Sequence, residues 1–173
     1  MSSELEVPGP NAPKLPEGFN KESLNDTQLA KYFGQSYFNG DLKFAPALGW
    51  FKCDGIVWQQ LDEREVRREL SAQLEAIGNH LRITGAAVEL LQAINRRLSS
   101  SSLKALVSQL ETQVFTKPEF FENMPHLLNA RNGVIDLKTK KLLPHDRRYG
   151  FTKVLPTDFL QGATHPDLVA ALD

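Results

Sequence analysis

Seven Lys and Arg residues stand against three acids between Leu127 and Asp158, in LLNARNGVIDLKTKKLLPHDRRYGFTKVLPTD. Arg131, Lys138, Lys140, Lys141, Arg147, Arg148 and Lys153 are side chains of the kind that neutralise phosphates and release counterions, the main source of free energy in sequence-independent nucleic-acid binding. The bland alternative is the solvated surface of a hairpin. Apolar residues recur through the stretch, so it reads as a folded basic element with Lys138, Lys140 and Lys141 at a hairpin tip and Arg147 and Arg148 after the returning strand. Trp50 has the ring to stack a base, and its competing reading is core or interface packing. His126 and His145 lie near the bases as further candidates for phosphate contact, or as hydrogen-bonded structural residues.

Other chemistries find little support. No GxxxxGK[ST] loop occurs, nor a GxSxG elbow or a HExxH helix, so this chain alone is not expected to hydrolyse nucleotide and no catalytic residue is assigned. Asp41, Asp54 and Asp62 share a region, but Asp54 belongs to a turn and the others read as loop and cap residues. Four scattered histidines and the single Cys53 lack metal-ligand spacing, and no metal or cofactor is expected. Cys53 is read as a packing residue, since a strand position beside Phe51 offers nothing to lower a thiol pKa.

The elements that must position the bases follow from periodicity. The chain has 173 residues, 41% hydrophobic and 24% charged, which suits a globular protein with one folded domain. Its net charge of -1 hides an acidic start and a basic last third. One cysteine, no signal-like start and no apolar run of membrane length make a cytoplasmic location the expectation.

Met1 to Leu24 is expected to be a proline-rich leader or linker, with Pro8, Pro10, Pro13 and Pro16 among its residues. Asn25 and Asp26 cap a helix carrying Leu29, Tyr32, Phe33 and Tyr37, which Asn39 and Gly40 end. An aromatic β-unit follows. Asp54-Gly55 predicts a type I′ turn that pairs Cys53 with Ile56 and Phe51 with Trp58 on one face, leaving Trp50 and Lys52 on the other. Asp62 and Glu65 form a capping box before Val66, Leu70, Leu74, Ile77 and Leu81. Two further helical stripes run through Ala87, Leu91, Ile94 and Leu98 and through Leu103, Leu106, Leu110 and Val114. Asn132-Gly133 marks a turn, Val134 to Leu137 a strand, and Leu142, Leu143, Phe151, Val154 and Leu155 further short strands. The expected fold is α+β, mainly a helical bundle with an aromatic hairpin in front and a basic hairpin region behind.

The run LLNARNGVIDLKT, then KLLPH, then FTKVLPTDF with Ala163, Pro166 and Leu172 beyond, resembles the collar-like domain that precedes the superfamily 3 helicase module in phage, plasmid and large-DNA-virus primase-helicases. Upstream, the helix from Asp26 to Phe38 and the segment DLKFAPALGWFKCDGIVWQQ resemble that domain's opening helix and aromatic hairpin, so the likeness covers roughly Asn25 to Asp173. Lys140 departs from it, standing where the family commonly has glycine. The family's ATPase residues have no positions here. The resemblance implies a non-catalytic part in DNA replication: a domain at 25–173 that joins primase to a hexameric helicase motor, helps guide single-stranded or forked DNA and supports ring assembly, with homo-oligomerisation. Two rivals stay open, a module that docks helicase to primase without touching DNA, and a fragment of a complete ATP-driven helicase.

Overall fold

A computed structural model describes Leu15 and residues 19–162. Ala163, Pro166 and Leu172 lie outside the described residues. The fold is α+β, and the described residues form four α-helices and two three-stranded antiparallel sheets, ordered β1-β2-β3 and β4-β5-β6. The chain divides into two compact units. Among the described residues, the first runs to Lys52 and resumes over Gln60–Lys117; the second comprises Cys53–Gln59 and the described residues from Pro118.

The helices of the first unit follow the sequence pattern closely. Helix α1 (Asp26–Tyr32) is capped by Asn25, whose side chain accepts from Gln28 N at 2.9 Å, and it widens into a π-helical stretch over Phe33–Tyr37. Asn39 (φ 48°) and Gly40 (φ 84°) end it in the left-handed region. Helix α2 (Glu63–Ile83) carries the expected capping box between Asp62 and Glu65 and buries Val66, Leu70, Leu74, Ile77 and Leu81. Helix α3 (Val88–Arg97) buries Ala93 and Ile94. Helix α4 (Ser100–Gln113) is capped by Ser99 and buries Leu103, Leu106, Val107 and Leu110. The serine run is thus a helix start, placed where a hydroxyl can satisfy a first-turn amide.

Strands β1 (Leu42–Ala45) and β2 (Gly49–Cys53) pair with Leu42 opposite Lys52 and Ala45 opposite Gly49. Backbone bonds from Phe44 N to Val114 O and from Thr116 N to Phe44 O tie β1 to the end of α4. Lys52 Nζ meets both Glu69 carboxylate oxygens, at 2.6 and 2.8 Å, and the Tyr37 hydroxyl donates to the same group at 3.0 Å. Burial and the adjacent Glu69 push the Tyr37 phenol up to about 12.

Between Asn20 and Trp58 the structure departs from three expectations. Folding begins before Asn25: Lys21–Leu24 makes a 3₁₀ turn capped by Asn20, and Leu24 is 2% exposed in the core. The hairpin turn between β2 and β3 (Trp58–Leu61) closes one residue later than a type I′ Asp-Gly turn would, with Asp54 N donating to Val57 O. The reason is the Asp54 carboxylate, which accepts from Ile56 N at 2.8 Å and Val57 N at 2.9 Å and leaves Gly55 alone with a positive φ, 100°. Burial tends to raise the Asp54 pKa, but those backbone donors outweigh it and hold the group below its ordinary value. Ile56 is accordingly exposed instead of sharing a buried face with Cys53. Finally, Trp50 and Phe51 are both buried, so neither face of β2 is left open.

In the second unit, β4 (Leu127–Ala130), β5 (Gly133–Asp136) and β6 (Lys141–Leu143) form a meander around Leu127, Val134 and Phe151. Trp58, 1% exposed, meets Phe120 and Phe121 edge-on, and its indole N–H donates to Arg147 O at 2.8 Å. The expected strands at Phe151, Val154 and Leu155 reduce to one bridge, Ala130 to Leu155. Their backbone groups are satisfied otherwise: the Asn129 side chain takes Lys153 O, and Phe151 O accepts from Trp58 N. No helix among the described residues is long and apolar enough to cross a membrane.

Candidate nucleic-acid interface

The basic stretch is organised by its polar uncharged residues. Asn129, the one buried polar side chain among the described residues at 4% exposure, donates through Nδ2 to Ile56 O at 3.2 Å and Lys153 O at 3.0 Å. Its Oδ1 lies 3.0 Å from His145 Nδ1, while His145 Nε2 sits 3.2 Å from Arg131 O. His145 thus sits between two oxygen acceptors of the fold, which argues for its structural reading over phosphate contact. Asn132 clamps the chain further on, donating to Phe159 O and accepting from Phe159 N, each at 2.9 Å. Gly133 follows at φ 148°, and a Cβ there would lie 2.6 Å from Leu143 O, so the close approach of β6 excludes any side chain.

The β5–β6 turn is tied from within. Asp136 accepts from Lys138 N at 2.9 Å and from the Thr139 hydroxyl at 2.8 Å, and these bonds lower its pKa. Lys140 closes the turn, its N–H donating to Asp136 O at 2.7 Å, with φ at 56°. This is the left-handed conformation that favours glycine, so Lys140 holds a glycine's backbone geometry. Lys138, Lys140 and Lys141 are exposed, and their side chains have no partner among the described residues. The turn thus brings three ammonium groups to one hairpin tip.

The other basic residues of the stretch differ. Arg131 faces Asp158 at 3.3 Å. Arg148 grips Asp146 through Nε and Nη2, down to 2.5 Å, and this guanidinium holds the Asp146 carboxyl at about 2. Arg147 is half-buried, with its carbonyl taken by Trp58, and Lys153 is exposed with no side-chain partner among the described residues. Trp50 is 3% exposed and packs on Phe44 within the core, so its ring offers no face to a base. Trp50 and Phe51 are adjacent on β2 and both are buried, which the hairpin pattern alone did not reveal.

A family model described as D5 N terminal like matches residues 28–172. The chain belongs to that family. Its members are the N-terminal domains of D5-like phage and viral primase-helicases, which is the setting that the LLNARNGVIDLKT block suggested. No curated protein matched the chain. The D5 N terminal like match spans both compact units, so the helical unit and the basic meander belong to one inherited pattern.

Replacing Lys140 by glycine should leave stability unchanged or raise it by up to about 1 kcal/mol, since relief of the left-handed backbone offsets glycine's entropy, whereas valine should lose about 1–2 kcal/mol in urea denaturation. A clear loss on Lys140→Gly would contradict the strained-turn reading. The Asp146 carboxylate is depressed in the folded state, so its pairing stabilises the fold above its ordinary pKa of 3.8 and is lost as pH falls toward about 2. Thermal melts of the parent and Asp146→Asn should differ at pH 5 and converge near pH 2. A constant difference across that range would remove the ion pair as its cause.

Proposed function

We propose that this D5 N terminal like domain engages DNA through the β5–β6 turn, with Lys138, Lys140 and Lys141 as its phosphate contacts and Lys153, further along the chain, as an additional one. The observation that carries the reading is the set of three lysines without partners among the described residues, on a turn that Asp136 and Thr139 hold rigid. A preorganised cationic tip suits a backbone that presents phosphates at regular spacing, and it needs no base-specific contact. Arg131, Arg147 and Arg148 are secondary contacts in this reading, with Arg131 and Arg148 exchanging a carboxylate for a phosphate oxygen. The domain would guide single-stranded or forked DNA beside the helicase and primase modules and support assembly of the helicase ring.

A second reading has its own observation. Leu137 and Leu142 are exposed around the same turn, and Ile135, Leu137, Lys140, Phe159 and Leu160 line a cleft of about 480 Å³. Apolar surface of this kind suits docking of a primase or helicase module without DNA contact.

Fluorescence anisotropy with forked and single-stranded DNA separates the two. Binding should weaken linearly on a log–log plot as salt rises, and Lys138→Glu, Lys140→Glu and Lys141→Glu together should cut the magnitude of that slope by about 2–3. Salt-insensitive binding, or binding that survives the triple change, would remove the turn from the DNA path.

A further inference from the structure

The first unit carries a second concentration of positive charge, outside the basic meander. Lys21, from the 3₁₀ turn ahead of α1, and Arg96 and Arg97, at the end of α3, line one cleft of about 310 Å³ with Leu24, Ala93 and Ser102. That volume lies at the lower end of small-ligand sites, about 300–1,000 Å³. Three cations from two separate elements face it, and none of its lining residues is acidic. The one acid bound to them among the described residues is Asp26, whose Oδ1 holds Arg97 Nη1 at 2.7 Å. A guanidinium has five N–H donors, so this single contact leaves Arg97 oriented and still able to donate. Lys21 and Arg96 have no side-chain partner among the described residues.

Ser102 adds a neutral donor. Its backbone N–H is taken by Ser99 Oγ at 3.3 Å, and Ser99 donates its hydroxyl to Ser102 Oγ at 2.9 Å. The Ser102 oxygen is used as an acceptor, which frees its own proton for a ligand.

We propose that this cleft binds a phosphate group. Its charge favours a polyanion, its donors include a positioned guanidinium and a hydroxyl, and its lining contains no aromatic ring on which a base or sugar would stack. The phosphate comes either from a polynucleotide backbone or from a free nucleotide, and the cleft recognises the shared chemistry. The inference does not rest on the reading of the Lys138–Lys141 turn, since the residues involved are different.

Amide chemical shifts of the intact chain, followed during titration with pyrophosphate at constant ionic strength, test this. Ser102, Arg96 and Arg97 should move in a saturable way, and Lys21→Gln with Arg96→Gln should weaken the site by about tenfold or more. Ser102→Ala, which leaves the Ser99 cap in place, should weaken it about two- to tenfold, the range of one neutral hydrogen bond. Displacement of pyrophosphate by an oligonucleotide lacking terminal phosphates assigns the backbone, and displacement by ATP alone assigns a free nucleotide. Shifts matched by sodium chloride, or a pyrophosphate affinity indifferent to all these substitutions, would overturn the proposal.

Discussion

The second unit depends on one buried amide. Asn129 places both hydrogens of its Nδ2 on carbonyls from segments distant in sequence, Ile56 and Lys153, and its Oδ1 against His145. At 4% exposure no bulk water replaces these partners, and each buried polar group left unsatisfied costs about 1–3 kcal/mol. An asparagine at this point therefore selects one arrangement of the β2–β3 tip, the β4–β5–β6 meander and the segment after Phe151, where an apolar residue would allow several.

The rest of the motif continues the same logic outward. Asn132 clamps Phe159, Gly133 permits the close approach of β6, and Asp136 ties the turn that carries Lys138, Lys140 and Lys141. The polar residues of LLNARNGVIDLKT thus build a platform, and the lysines are what it presents. Surface ion pairs elsewhere in the unit, Arg131 with Asp158 and Arg148 with Asp146, are exposed and worth little individually, so their cations remain available to a stronger anion at small cost.

Legibility in the sequence followed the range of the interactions. The helices were readable because caps and 3.6-residue stripes are local: Asp62 with Glu65, Asn25, and the Leu70–Leu74–Ile77 face all stand where spacing put them. The hairpin turn shifted by one residue because the Asp54 side chain competes with the backbone for Ile56 and Val57, a choice that Asp-Gly statistics do not contain. Trp50 escaped because its burial is set by Phe44 on the paired strand and by the core cluster it joins with residues of the later helices. The motif itself was visible, yet the role of Asn129 was not, since its partners lie 73 and 24 residues away. Lys140 was visible as a departure from the family, and the structure supplies its meaning as a positive-φ position.

Amide hydrogen exchange on Asn129→Ala decides whether the buried amide holds the platform beneath the basic turn. The Leu155 N–H, which donates to Asn129 O, and the β4–β5 ladder should lose protection together. Retention of their protection at parent levels would contradict that role and reduce Asn129 to one contact among many.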